Sequence, residues 1–305
     1  MGTEVALLRK PSDLNTQVDN DKLGEESYMQ MVLRRFLKHK MAVAGVCVIS
    51  VLVLCSLFAP VIAPHDPYQV TTVFGAQPTS LNWFGTDQVG RDVLSRLIYA
   101  ARVSLVVGIG TTVISIVIGT LLGLLSGYFG GKIDMIVMRI TDVFMSFPQM
   151  MLILVVVSIV GPGLLNIIVI LGLLGWPSVA RLVRGSVLSV KENDYIKSAV
   201  ALGFSTPRIL FLHILPNVMA PILVNATFGI ANAIIVEASL SFLGLGVQPP
   251  TASWGNMLTD AQTLSVLTSK PWLWLPPGIL IIASVLSVNF IGDGLRDALD
   301  PRSLK

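Results

Sequence analysis

This sequence is short of charge. Asp, Glu, Lys and Arg make up 13% of its 305 residues, where a soluble domain carries about 25%. A solvated shell around a chain of this length cannot be built from so few charges, which argues against a soluble nuclear or cytosolic enzyme. A net charge of +3 supplies no field for a polyanion, so nucleic acid is excluded as a partner. Cysteine is nearly absent as well. Cys47 and Cys55 lie about 80° apart around a helix and about 12 Å along it, too far to bridge, and read as small apolar packing residues. His39, His65 and His213 are scattered. With no CxxC or His/Cys cluster, nothing suggests a metal, and no paired acids or His/Ser set suggests an intramembrane enzyme. Nothing alternates over ten residues, which argues against a β-barrel. A nucleotide-binding loop is missing too: Gly130-Gly131-Lys132 is followed by Ile133, and no Gly stands five residues before Gly131.

What is present is long apolar runs. Five stretches hold no Asp, Glu, Lys or Arg: 41–65, 103–131, 143–180, 209–236 and 271–292. A bilayer-spanning helix needs about 20 apolar residues. The 38-residue run 143–180 is too long for one span, and Gly161-Pro162-Gly163 breaks it. The expectation is an all-α membrane protein of six transmembrane helices, at roughly 41–63, 103–126, 140–160, 164–184, 217–240 and 273–292. The first apolar run follows a 40-residue polar leader, too far in for a cleaved signal peptide, so it should remain as an anchor.

Six spans put both termini on one side. That side would carry 17 of the 21 Lys and Arg residues, against 4 in the loops 64–102 and 241–272, so the positive-inside rule places both termini in the cytoplasm. Residues 1–27, with Asp19, Asp21, Glu25 and Glu26, read as a disordered or loosely attached leader. Tyr28 to Lys38 mixes apolar and basic residues and suits either an interfacial helix or a simple topology anchor. The chain divides into a cytoplasmic segment 1–40, a first span with its extracytoplasmic segment at 41–100, and a core of five spans at 101–305 with a cytoplasmic loop at 185–216.

Within the core, Gly119, Gly123 and Gly127 share one face and invite close approach of another helix. The short turn between the third and fourth spans predicts an antiparallel hairpin. In the loop 185–216, Asn193 or Asp194 can cap a short helix, Gly203 suits a left-handed stop, and Thr206-Pro207 restarts a helix with Thr as cap. Apolar Ile196, Ala199, Val200 and Leu202 interleave with Lys197 and Ser198. Such a helix is either a surface float or a docking knob, and shape alone favours the float.

The loop nevertheless resembles the cytoplasmic loop of permease subunits of ATP-binding-cassette (ABC) importers. That family's pattern is Glu-Ala-Ala, three residues, Gly, nine residues, Ile, one residue, Leu-Pro. Ala199, Gly203, Leu215 and Pro216 match it; Lys197, Ser198 and His213 replace the common Glu, Ala and Ile. Three further segments are similar to the second permease of dipeptide and oligopeptide importers: Trp83 to Asp87 with Gly90 to Arg96; Glu237 to Gly246 with Gln248-Pro249-Pro250 and Trp254-Gly255; and Gly292 to Pro301. The resemblance runs from about residue 30 to the end.

It implies a type I ABC importer permease fold in a bacterial inner membrane. It implies no catalytic residue and no cofactor in this chain, ATP and Mg being held by two partner ATPase subunits. The other partners implied are a homologous second permease, an extracytoplasmic substrate-binding protein, a peptide cargo and the lipid bilayer. The helix at 194–203, with Tyr195, Ile196, Lys197, Ser198 and Ala199, then Gly203, Leu215 and Pro216, would be the coupling element that sits in an ATPase cleft. Acidic residues in or beside spans are costly and face an interior or a partner. Asp142 and Asp293 lie near cytoplasmic ends, where they pair with Arg139 or Arg296, and Asp142 is also a candidate for the translocation path. Glu237 either lines the translocation path, meeting a peptide's amino group, or pairs with an outer Arg of either permease, such as Arg91 or Arg102. Asp87, Arg91 and Asp92 suit either contact with the binding protein or a stabilising salt-bridge cluster. Trp83-Phe84 and Trp272 with Trp274 suit an interfacial belt. Rival readings are the same machinery carrying a nickel chelate, glutathione or a murein peptide, and an ion-driven secondary transporter. The latter would show inverted repeats, and no internal repeat is visible.

Overall fold

The computed structural model describes residues 28–299. The acidic leader and the final six residues, where the expected disorder and the last part of the resemblance fall, lie outside the described residues. The described chain is helical and contains no strand. Its helices are α1 (Tyr28–Lys38), α2 (Lys40–Leu57), α3 (Ala59–Ile62), α4 (Val93–Phe129), α5 (Gly131–Met145), α6 (Gln149–Val160), α7 (Leu164–Val190), α8 (Asp194–Ala201), α9 (Thr206–Arg208), α10 (Leu215–Phe242), α11 (Trp254–Met257), α12 (Leu264–Ser269) and α13 (Pro271–Leu299). A π-helical turn, Ile209–Ile214, joins α9 to α10, and a 3-10 turn, Leu258–Gln262, joins α11 to α12.

Five helices are long and apolar enough to cross a membrane: α2, α4, α7, the run Thr206–Phe242, and α13. The sixth span expected at 140–160 is not one helix. α5 and α6 meet at Ser146-Phe147-Pro148 with a bend of 86°, so the count reaches six only with this bent pair taken as one broken span. The cause is local. Pro148 lacks the N–H a helix needs, and its ring drives Phe147 out of helical conformation. Other bounds also move. The first span stops at Leu57 and turns before Pro60. α4 begins ten residues before the expected 103, and its 37 residues span about 56 Å, well beyond a hydrocarbon core of about 30 Å.

α4 and α7 form the centre of the bundle. A Cβ on Gly119 would stand 2.5 Å from Val179 Cβ, one on Gly123 2.7 Å from the Ala180 carbonyl oxygen, and one on Gly127 2.7 Å from Val187 Cβ. The glycine stripe thus lets the α7 backbone lie directly against α4, as its spacing suggests. α6 folds back on α7: Ile153 and Val157 pack with Ile167, Ile168 and Leu171, forming the expected hairpin. α2 crosses α13 at Gly45, where a Cβ would stand 2.5 Å from the Ser287 carbonyl oxygen. Cys47 is exposed on the outward face of α2 and Cys55 is partly exposed, so Cys47 is not the packing residue it was expected to be. α1 lies against α13, with Val32 buried and Met29, Leu33 and Leu37 exposed.

Candidate functional site

The loop between α7 and α10 builds a projecting knob. α8 begins after Asn193, but the Asn193 side chain makes no capping hydrogen bond. α9 begins at the residue expected to cap it, with Ser205 at the N-cap position and Thr206 already helical. Gly203 turns the chain at φ +78°, with nothing within 4 Å of where a Cβ would sit. Ile196 and Ala199 are buried, and Ile196 joins a cluster of Leu124, Val183, Val187, Ile209, Ile214 and Val218. Tyr195 and Val200 on the same short helix and Leu202 just after it are 46%, 51% and 74% exposed, and Lys197 and Ser198 are exposed beside them. The helix is therefore fixed to the bundle on one side and presents a mixed apolar and charged face on the other, with Lys197 paired to Glu192 at 3.2 Å. His213, where the family has Ile, stacks its ring on Phe204 at 5.8 Å, and the Arg208 guanidinium covers the same ring at 4.4 Å. Pro216 occupies the first turn of α10, where its missing N–H has no intrahelical role.

Below α4, two ion pairs hold α5 to α7. Asp134 takes a two-pronged hydrogen bond from Arg184 and a third from the Ser126 hydroxyl. Asp142 pairs with Arg181 at 2.6 Å, both about half exposed. The expected partners of Asp142, Arg139 or Arg296, are not the ones it meets: Arg139 shares its helix, whereas Arg181 comes from the packed neighbour. Asp142 does not line the central cavity described next. Lys191 donates to the Gly127 carbonyl at 3.0 Å, a favourable charge at the C-terminal end of α4.

A partly open central cavity lies between α4, α6, α7 and α10. It measures about 110 Å³ and carries uncharged polar groups: Thr111, Thr112, Ser115, Gln149, Ser178, Asn225 and Asn232. Gln149, Ser178 and Asn232 are exposed. Amides and hydroxyls at this depth are costly against lipid and belong against protein or water. Sequence reasoning passed over these residues because it looked for charges. The usable signal was Asn225 and Asn232, seven apart on an apolar helix and so on nearly one face.

Glu237 is fully buried but lies outside that lining. It accepts from Ser241 at 2.7 Å and from Ser104 at 3.3 Å, and it meets no arginine. The same hydroxyls carry the outer cap. Val247 N–H donates to Ser241 Oγ, Trp254 N–H donates to Ser104 Oγ, and Trp254 Nε1 donates to the Leu97 carbonyl. Within this chain its carboxyl ties the segment 241–254 onto α4. Gly255 belongs to the same contact: a Cβ there would stand 2.5 Å from Ala238 Cα.

Asp87 and Asp92 are likewise buried, at 6% and 3% exposure. Asp87 Oδ1 accepts the N–H groups of Val89 and Arg91, and its Oδ2 accepts Arg91 Nε at 2.7 Å. Asp92 caps α4 by accepting Ser95 N–H and hydroxyl, and takes a further bond from Asn82. A stabilising network, one of the two roles the sequence allowed, is present. Burial, and next the charge of Asp87, push the nearby Asp260 carboxyl above its ordinary range. Trp83 is exposed, whereas Trp272 and Trp274 are partly buried.

The apolar helices, the bent pair, the polar cavity and the projecting loop define a multi-pass helical membrane protein. Its sequence matches the profile described as "binding-protein-dependent transport system inner membrane component" over residues 119–305, and that of the "N-terminal TM domain of oligopeptide transport permease C" over residues 27–79. The chain belongs to the family of binding-protein-dependent transport system inner membrane components. It is 40% identical over 303 residues to the dipeptide transport system permease protein DppC of Alkalihalophilus pseudofirmus, covering 99% of each chain. It is 39% identical over 292 residues to the oligopeptide transport system permease protein OppC of Bacillus subtilis, covering 94% of each. Among solved structures it is similar to an inward-facing form of the MetNI methionine ABC transporter. That match has a TM-score of 0.55 and 22% identity over 67% of this chain and 97% of that one, a likeness of fold.

Proposed function

We propose that this chain is a permease subunit of an ABC importer that moves di- or oligopeptides across a bacterial cytoplasmic membrane. The observation that carries the reading is its near-complete alignment with permeases named for dipeptide and oligopeptide transport. In this reading a homologous permease completes the pore, two ATPase subunits dock on the cytoplasmic side, and a binding protein delivers cargo outside. The chain does no covalent chemistry; ATP and Mg belong to the ATPases. The exposed face of α8, with Tyr195, Lys197, Val200 and Leu202, enters an ATPase cleft. Ile196 and Ala199 anchor it to α7 and the start of α10. When the ATPase pair closes on ATP, the knob moves as a rigid body and shifts both spans, switching access from one side to the other.

The central cavity suits this cargo. Amide and hydroxyl groups can donate to and accept from a peptide backbone, and without charges they discriminate little among side chains. We assign the path in this subunit to Gln149, Ser178, Asn225 and Asn232, which line the cavity. The test is uptake into vesicles carrying the co-expressed complex and its binding protein. ATP-dependent accumulation of labelled di- or tetrapeptide supports the reading. Uptake that follows an ion gradient without ATP would replace it with a secondary transporter, and uptake of glutathione or a nickel chelate in preference to peptides would change the cargo.

A further inference from the structure

α1 meets the first span at an elbow of one residue, His39, which is not helical and caps α2 by accepting the Ala42 N–H at its Nδ1. The elbow is fastened to α13 at Gly294. A Cβ there would stand 3.3 Å from the Phe36 ring and 3.5 Å from the His39 ring, and would strike Ala42. His39 Nε2 also stands 3.7 Å from Asp297 Oδ2. Val32 is buried, and it lies one turn from Phe36 on the same face of α1. α1 therefore cannot turn about its own axis, and the direction of each of its faces is set. Because a single residue separates α1 from a span, α1 lies at the membrane surface, at the end that the Lys and Arg distribution assigns to the cytoplasm.

Beside the packed face, Met29, Leu33 and Leu37 recur every four residues and are 71%, 57% and 59% exposed. The strip continues past the elbow into exposed Met41, Val48 and Val51 of α2, a surface that meets lipid because α2 is a span. Lys38 and Lys40 border the strip; both are exposed. Arg34 and Arg35 add charge and are engaged within the chain, and α1 holds no acidic residue. An apolar strip bordered by cations at the end of a span matches the boundary of an anionic leaflet, with acyl chains under the strip and phosphates beside the cations. A protein partner in water would leave the continuity with the lipid-facing side of α2 without a cause. We propose that α1 is an in-plane anchor that binds anionic phospholipid: Leu33 and Leu37 enter the acyl boundary, and Lys38 and Lys40 hold the phosphate groups. Since the elbow packs on Gly294, the bound lipid also fixes this end of α13. The inference rests on the membrane class and not on the cargo.

The test uses the full-length chain with its co-purifying subunits in nanodiscs of phosphatidylcholine and phosphatidylglycerol. Cys47→Ser and Cys55→Ser clear the background. A nitroxide is then placed by Leu33→Cys, by Leu37→Cys, or by Val51→Cys as the lipid-facing reference. The labels on α1 should be relaxed by oxygen and shielded from a water-soluble nickel complex, as the label on α2 is. If Leu33→Cys does not accumulate, Leu37→Cys gives the same reading. Access of the nickel complex places the strip in water, and shielding from both reagents places it under protein; either result overturns the proposal. Phosphatidylglycerol bound to the solubilised full chain is then titrated by native mass spectrometry. Lys38→Gln and Lys40→Gln should each weaken it about fivefold, with the thermal midpoint unchanged because both side chains are exposed. Equal binding of phosphatidylcholine, or phosphatidylglycerol binding unaltered in the double variant, also overturns the proposal. Neither readout needs transport or ATP, so both can succeed where the peptide-importer reading fails.

Discussion

Gly203 and Glu237 are single residues whose roles come from different causes. Gly203 stands at φ +78° in open space, so what it supplies is backbone conformation: an L side chain there costs about 1 kcal/mol or more. Gly203→Asp should leave the chain in the membrane and abolish ATP-driven uptake. Normal uptake by this variant, at a normal membrane level measured by immunoblot, would remove α8 from the coupling role. That turn was readable in the sequence, because a left-handed stop is a local demand. Glu237 was not readable. A carboxyl in an apolar run announces a cost and leaves its partner open, and the partners are hydroxyls 4 and 133 positions away. Ser241→Ala removes a donor to Glu237 and an acceptor for Val247 N–H. It should lower stability by about 1–3 kcal/mol, read as a fall in thermal midpoint in detergent and as faster proteolysis of the outer segment.

Helix-level behaviour follows from a few intrusions into regular apolar sequence. Pro148 divides what hydropathy presents as one span into α5 and α6, bent by 86°. Spin labels at Met135 and Ile159, both exposed, would stand about 36 Å apart on a straight helix. In the wild type the distance should be clearly shorter. Pro148→Ala should shift the measured distribution towards the straight value, and an unchanged distribution would mean that packing against α7 sets the bend. α5 is otherwise held by Asp134–Arg184 and Asp142–Arg181. A double-mutant cycle on the first pair should return a coupling of about 1 kcal/mol, given its partial exposure. The glycine stripe of α4 was legible as a close-packing face from its spacing. That its partner would be α7 was not, since a stripe of small residues specifies distance and leaves the neighbour undefined. Gly123→Leu should therefore be poorly tolerated, costing about 1–3 kcal/mol by overpacking, with loss of folded protein in size-exclusion profiles.

For the whole molecule, the expected assembly is the strongest test. A tagged chain purified from mildly solubilised membranes should bring down a second permease and ATPases that carry the P-loop this chain lacks. A homo-oligomer without ATPase, under crosslinking, would overturn the importer assignment. Sequence alone determined the helical membrane class, the positions of most spans, the projecting loop with its Gly turn, and the family. These depend on apolar length, charge distribution and short motifs, all local or additive along the chain. Tertiary structure alone decided that Asp142 meets Arg181, that Glu237 and Asp87 tie the outer cap together, and that uncharged amides line the cavity. Each of these depends on which helix faces which, and that is set by side-chain packing between segments distant in the sequence.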